Sequence, residues 1–168
     1  MTLESEFRAD GGAQHVSAEA RPVVRALAFK LDGICLAVPI EQVGELVDCE
    51  SITPVPFVKQ WVKGVTNVRG GLLPVVDLAS YFDKTAVSAQ RGMRLIVINV
   101  NDAPLGLLTT EVLGMRQFGA AAESATVDDF EPVLRPYLQR AMEAEGTAWG
   151  LLDLRRLVSE SRFQEFVA

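Results

Sequence analysis

Between Trp61 and Leu78 two apolar runs, Trp61-Val62-Lys63-Gly64-Val65 and Leu72-Leu73-Pro74-Val75-Val76, flank the dipeptide Gly70-Gly71. Strand-type residues on both sides of a pair that can take positive φ describe a tight β-hairpin. Three polar side chains, Thr66, Asn67 and Arg69, stand beside that turn among residues that otherwise favour burial. An arginine in such a place must reach a carboxylate or the surface, because an unpaired buried charge is strongly destabilising.

The same grammar recurs along the chain. Residues 26–31 and 34–38 are β-type runs separated by Asp32-Gly33, a strong hairpin signal, and Pro39 ends the second run. Residues 40–43 read as one helical turn before a short strand at 44–47. Thr53-Pro54-Val55-Pro56 is a loop, since two prolines remove two backbone donors. Phe57, Val58, Trp61 and Val62 are spaced for one face of a short helix entering the hairpin. After Asp77-Leu78, residues 79–82 look like a helical turn and residues 84–92 like a polar connection. Residues 95–100 are almost continuously apolar, as in a strand buried on both faces. Asn101-Asp102 turns into a strand at 105–109, and Glu111-Val112-Leu113-Gly114 opens a further run ending at Phe118.

Residues 119–129 are small and acidic, a loop. Residues 136–145 are ambiguous: Leu138, Gln139, Arg140, Ala141 and Met142 suit a helix by propensity. Asp153 suits the N-cap of a closing helix through Leu154, Leu157 and Val158, and Phe163, Phe166 and Val167 form a further apolar patch. Many short strands with hairpin turns and a late helix describe an all-β fold. Residues 1–22 read as a flexible leader and residues 23–168 as the domain.

Composition narrows the function. Of 168 residues 49% are hydrophobic, so the core is large for the length or apolar surface is left for partners. A net charge of -6, with no basic cluster, argues against nucleic acid. The N-terminus lacks the apolar stretch of a signal peptide, and no run approaches the roughly 18 apolar residues of a membrane span. A cytoplasmic location is the expectation. The only histidine, His15, lies in the leader, so neither a metal set nor a nucleophile–base pair is apparent, and no cofactor is expected. Cys35 and Cys49 read as small buried hydrophobes. Asp77 reads as the cap of the turn after its strand rather than as a lone catalytic carboxylate.

The stretch Gly64-Val65-Thr66-Asn67-Val68-Arg69-Gly70-Gly71-Leu72-Leu73-Pro74-Val75-Val76-Asp77-Leu78 closely resembles the G-V-x-N-L-R-G-x-I-L-P-V-V-D-L signature of the CheW-like chemotaxis coupling proteins. Cys35-Leu36-Ala37-Val38-Pro39-Ile40-Glu41-Gln42-Val43-Gly44-Glu45-Leu46 is similar to that family's Y-x-L-P-I-x-x-V-x-E-I segment, and Ile52-Thr53-Pro54-Val55-Pro56 to its I-T-P-L-P loop. Trp149 to Val158 resembles its closing strand and last helix, and the resemblance implies that residues 136–145 are a strand paired with 147–152 across Glu145-Gly146, which is the reading adopted over the helix. The likeness spans residues 23–158.

The resemblance implies two intertwined five-stranded SH3-like β-barrel subdomains and a short C-terminal helix from about residue 153. The first barrel would centre on residues 34–78 and the second on 94–151. It also implies a non-catalytic adaptor whose partners are the cytoplasmic tip of chemoreceptors and the regulatory domain of a CheA-like histidine kinase. Such an adaptor would be recruited to membrane-associated receptor arrays. Val43, Glu45, Asn67 and Arg69 match receptor-groove positions of the family, and Gly64 and Val65 lie where kinase contact is implied. Glu45 and Arg69 would form a pair, either meeting a partner directly or only holding the hairpin. Gly64, between Lys63 and Val65, would let a partner's backbone approach, so that a bulky substitution should abolish kinase binding without unfolding the chain.

The chain departs from the family pattern at Thr110, where an aspartate is usual, at Arg140, where glycine is usual, and at Arg94, often valine. Its C-terminal texture resembles the PilI-type branch, which serves type IV pili and twitching motility. A flagellar chemotaxis coupling protein and a small-molecule-sensing β-barrel regulator stay open as alternatives. An isolated kinase regulatory domain is a third, against which stands the lack of any phosphotransfer or ATP-binding segment.

Overall fold

The computed structural model describes residues 23–88, 92–119 and 125–166. The expected leader, His15 and Val167 lie outside them. Ten strands form two five-stranded antiparallel-rich sheets. They are β1 (Val24–Leu31), β2 (Ile34–Pro39), β3 (Glu45–Cys49), β4 (Val62–Val68), β5 (Gly71–Asp77), β6 (Met93–Val100), β7 (Ala103–Leu108), β8 (Glu111–Phe118), β9 (Leu138–Ala144) and β10 (Thr147–Leu152). Three short helices follow strands or close the chain: α1 (Leu78–Tyr81), α2 (Leu154–Ser159) and α3 (Ser161–Gln164). Residues 136–145 are thus resolved in favour of the strand. The fold is all-β, with the two-subdomain architecture that the sequence implies.

Local chemistry makes the hairpins. Each has two consecutive left-handed residues at its turn: Asp32 and Gly33, Arg69 and Gly70, Asn101 and Asp102, Glu145 and Gly146. That pairing matches the right-handed twist of the flanking strands. In the second hairpin the turn residues are Arg69 and Gly70, one position earlier than the Gly70-Gly71 read from sequence, and Gly71 begins β5.

One sheet runs in the order β8-β1-β2-β10-β9 and the other β3-β6-β7-β5-β4. This corrects the contiguous division into 34–78 and 94–151. The first hairpin, β1–β2, joins β8, β9 and β10, while β6 and β7 join β3, β4 and β5. Two parallel pairings, β2 with β10 and β5 with β7, bring together strands distant in sequence.

Each sheet wraps a small core of its own, and the two share a larger one. Ala26, Ala28, Phe118, Met142, Trp149 and Leu151 fill the first barrel, and Val47, Cys49, Val75, Leu95, Val97 and Leu108 fill the second. The shared core takes the other face of the same strands: Leu27, Phe29 and Leu31 of β1, Ile96 and Ile98 of β6, Leu105 and Leu107 of β7. This explains why β1 and β6 read as continuous apolar runs. Their side chains alternate between two cores rather than between a core and water.

The C-terminal segment seals the shared core. Phe163 stacks on Trp61 at 5.8 Å between ring centres and meets Tyr81 edge-on at 5.2 Å. The short helix expected at Phe57–Val62 is absent. Its residues form a turn, with Trp61 buried and Phe57 in water.

The start of α2 is locked from a distance. Asp153 accepts from the Arg155 backbone N–H at 3.0 Å, and Gln42 bridges to it: Gln42 Nε2 donates to Asp153 Oδ1 at 3.1 Å, and its Oε1 accepts from the Leu154 N–H at 2.7 Å. Burial alone would raise the Asp153 pKa. The Arg155 side-chain and backbone donors outweigh it and hold the carboxyl below its ordinary value. Gln42→Ala should therefore lower stability by about 1–2 kcal/mol, read from urea unfolding, because it leaves a helix-start N–H without its acceptor. A shift below about 0.3 kcal/mol would show that water replaces the bridge.

Candidate functional site

The β4–β5 turn gathers three of the six sequence-predicted residues. Asn67, near the end of β4, turns its Oδ1 to accept the Gly70 N–H at 3.0 Å, which pins the turn. Arg69, left-handed at φ 48°, projects away from the hairpin and forms an ion pair through Nη2 with Oε1 of Glu45 at the start of β3. Arg69 thus finds both the carboxylate and the surface that its chemistry demands. Its side chain is 71% exposed and that of Glu45 40% exposed, so solvent screens the pair. Beside it Leu72 is 71% exposed, and a cavity of about 130 Å³ lies between Glu45, Val68, Leu73 and Pro104. An ion pair bordered by exposed apolar surface can receive a polar group and an apolar one together.

Val43 lies two residues before Glu45 but lines a different hollow. This cavity, of about 250 Å³, is bounded by Gln42, Val43, Asn99, Arg155 and Val158. Gly44 separates the two surfaces, its N–H bonded to the Val97 carbonyl at 2.8 Å. Val43 is therefore adjacent to the ion pair without touching it.

Gly64 and Val65 sit toward the other end of β4, and here the expectation changes. Gly64 has φ +133°, and a Cβ on it would stand 2.0 Å from the Thr53 carbonyl oxygen. Val65 and Thr53 exchange both backbone hydrogen bonds, at 2.8 and 2.9 Å. The backbone that approaches Gly64 is this chain's own Thr53-Pro54 segment. A bulky residue at 64 would thus break the fold, contrary to the sequence expectation. Thr66, one of the polar residues beside the hairpin, is buried and donates from Oγ1 to the Ser51 carbonyl at 2.6 Å. Its hydroxyl also reaches buried Cys49, whose thiol pKa burial raises against that contact.

A second surface was not legible in sequence. In β8, Met115 pairs with Leu27 and Val112 with Phe29, so both continue the face that forms the shared core. β8 is an edge strand of its sheet, and Met115 is half-exposed there. In the other sheet, Leu46 and Asp48 of the edge strand β3 pair with Ile96 and Arg94 of β6. Asp48 and Arg94 are the charged pair of that edge. Those two groups are 3.9 Å apart and both well exposed. The unusual Thr110 accepts the Asp32 N–H at 2.9 Å and so tightens the first hairpin's turn. Only the strand register reveals which face of β8 carries Met115, since alternation within residues 111–118 does not say what each face meets.

Among the described residues no group of three or more His, Cys, Asp or Glu side chains is placed to hold a metal, and no helix is long and apolar enough to cross a membrane. Cys35 and Cys49 are free thiols, Cys49 buried and Cys35 half-buried.

Comparison with known proteins agrees with this architecture. The chain is 33% identical over 119 residues to protein PilI of Pseudomonas aeruginosa, covering 71% of this chain and 67% of that protein. It is 33% identical over 98 residues to the chemotaxis protein CheW of Thermotoga maritima, 58% and 64% of the two chains. Protein FrzA of Myxococcus xanthus is 32% identical over 106 residues, 63% and 66%. The matched segments span about two thirds of each relative's length. The crystal structure of the scaffolding protein TtCheW from Thermoanaerobacter tengcongensis superposes with a TM-score of 0.70 at 19% identity, over 86% of this chain and 98% of that one, and so shares the fold. The CheW-like domain matches residues 25–162, nearly everything from β1 to α3. With that match and these relatives, the chain belongs to the CheW-like domain family.

Proposed function

We propose that this protein is a non-catalytic adaptor that couples chemoreceptors of the methyl-accepting type to a CheA-like histidine kinase. The pathway is a bacterial chemosensory one controlling type IV pilus twitching motility. Membership of the CheW-like family supports a scaffold in chemosensory signalling, and the likeness to PilI supports the pilus output. The adaptor works in the cytoplasm, drawn to receptor arrays by its partners. Receptor tips dock at the surface formed by Val43, Glu45, Asn67 and Arg69. The kinase regulatory domain docks beside Gly64 and Val65, against the Thr53-Pro54 segment that Gly64 admits.

The observation that carries the receptor reading is the exposed Glu45–Arg69 pair beside Leu72. An ion pair this open adds little to stability, at most about 1 kcal/mol. Its geometry is therefore better explained by what it presents than by what it holds. Arg69→Ala should weaken binding of a receptor cytoplasmic fragment about tenfold, with an unfolding free energy within about 1 kcal/mol of wild type. Arg25→Ala, at an exposed site on β1, should change neither. In a double-mutant cycle with Glu45→Ala the binding effects should be non-additive. Strict additivity, or a loss of stability that parallels the loss of binding, would reduce the pair to a fastening of the hairpin.

A further inference from the structure

Phe57 is 86% exposed and has φ +59°, a left-handed backbone that aromatic residues rarely adopt. Its loop is fastened at both ends. Thr53 is paired with Val65 by two backbone bonds, and Pro54 and Pro56 restrict the chain between. Past Phe57, the Lys59 N–H donates to the Phe166 carbonyl at 2.9 Å, and the Lys59 carbonyl accepts from Val62 at 2.9 Å. Phe166 in turn lies against Trp61, 5.8 Å between ring centres. Four residues along the chain from Phe57, the Trp61 ring is taken up by the aromatic cluster, while the Phe57 ring stands in water.

Single exposed apolar residues are ordinary on protein surfaces. This one is not, because the backbone beneath it is strained as well. In the isolated chain an exposed ring contributes nothing that offsets a left-handed backbone, and Asn or Gly would suit that backbone better. Strain held in place by a fastened loop points to a purpose for the displayed side chain. Val55, 39% exposed in the same loop, widens the apolar surface.

We propose that Phe57 is the apolar anchor by which this chain grips the kinase regulatory domain, its ring entering a ring-sized apolar pocket on that domain. The inference rests on the kinase-docking reading above and extends it, since the loop carrying Phe57 is the segment that Gly64 admits against β4. A rigid aromatic knob on a preorganised loop binds without loss of loop entropy, and such residues carry a large share of interface affinity.

Binding of the purified regulatory domain of the same organism's kinase, measured by calorimetry together with thermal unfolding of each variant, tests this. Phe57→Asn should lower affinity about 30-fold, as for a buried aromatic hot spot. Its melting temperature should equal or exceed that of wild type, because asparagine tolerates the left-handed backbone. Phe57→Leu should fall between the two in affinity, and receptor-fragment binding should stay unchanged throughout. Unchanged kinase affinity in Phe57→Asn, with wild type binding, would remove Phe57 as the anchor and leave the kinase reading standing. A fall of the Phe57→Asn melting temperature by more than a few degrees would overturn the proposal by making the ring a support of the fold. Failure of the wild-type chain to bind the domain at all would overturn the kinase reading and this occupant with it.

Discussion

Gly64→Ala should unfold the β4 end of its barrel or lower global stability by at least about 3 kcal/mol, the combined size of backbone strain and a hard core overlap. The new methyl would lie 2.0 Å from the Thr53 oxygen and 2.9 Å from the Pro54 Cα. Both are backbone atoms, so no rotamer change relieves the overlap. The segment can move away only by giving up both Thr53–Val65 hydrogen bonds. Gly70→Ala is the matched control. It has φ +79° but open space where its Cβ would stand, and should cost about 1 kcal/mol from backbone strain alone. Urea titration of the two variants separates the cases. Equal, small losses would mean that the Thr53-Pro54 segment yields easily. The same geometry disqualifies Gly64→Trp as a probe of partner binding, because an unfolded barrel binds nothing specifically. Substitutions in the loop on Gly64's far side test that surface without breaking it.

Asp77→Ala should destabilise by about 3–4 kcal/mol, the size expected when one buried acceptor leaves several donors unpaired. The Asp77 carboxylate is completely buried and serves as a hub. Its Oδ1 accepts from the Ala79 and Ser80 N–H groups at 3.0 and 3.2 Å, which caps α1. Its Oδ2 accepts from the Ser80 hydroxyl and the Val87 N–H, both at 2.8 Å, and stands 3.3 Å from Lys63 Nζ. One side chain thus ties β4, β5, α1 and the 84–88 connection together. Asp77→Asn keeps the shape but turns one acceptor into a donor, so its loss should fall between zero and that of alanine. Lys63→Met should also destabilise, since it strips the buried carboxylate of its cation. A near-neutral Asp77→Ala in thermal unfolding would require water to enter and satisfy all four donors.

The two effects divide by origin. The capping role of Asp77 is legible in sequence, because an aspartate between a strand and a helical turn has one common use. The bonds to Val87 and Lys63 are not, since they depend on where a polar connection passes in space. Glu45 and Arg69 differ again. The charge of Arg69 and its setting in an apolar hairpin require an anion or the surface, and the family pattern names Glu45. That the pair is open to solvent follows from Arg69 being a turn residue, which a choice between Gly70 and Gly71 conceals. The spacing of Phe57 with Trp61 fits a helix face, but Pro54 and Pro56 and the pairing of Thr53 with Val65 keep that segment out of a helix and leave a turn.

The amino-acid sequence by itself determined most of the strands and hairpins and the caps of α1 and α2, though not β9 or the exact turn between β4 and β5. Each of these depends on neighbours a few residues apart: a left-handed pair such as Asp32-Gly33, a β-branched run, an aspartate before a helical turn. The strand partners were decided only in three dimensions. The β1–β2 hairpin is apolar on both faces and fits either barrel by local chemistry. It joins β8 and β10 because Ala26, Ala28 and Ala37 leave room for Phe118 and Trp149, while Leu27, Phe29 and Leu31 fill the shared core. Parallel pairing of β2 with β10 links residues more than a hundred positions apart, and no local pattern records such a choice. Volume complementarity between distant side chains selects it, and the same selection leaves Met115 at the β8 edge and Phe57 in its loop facing water.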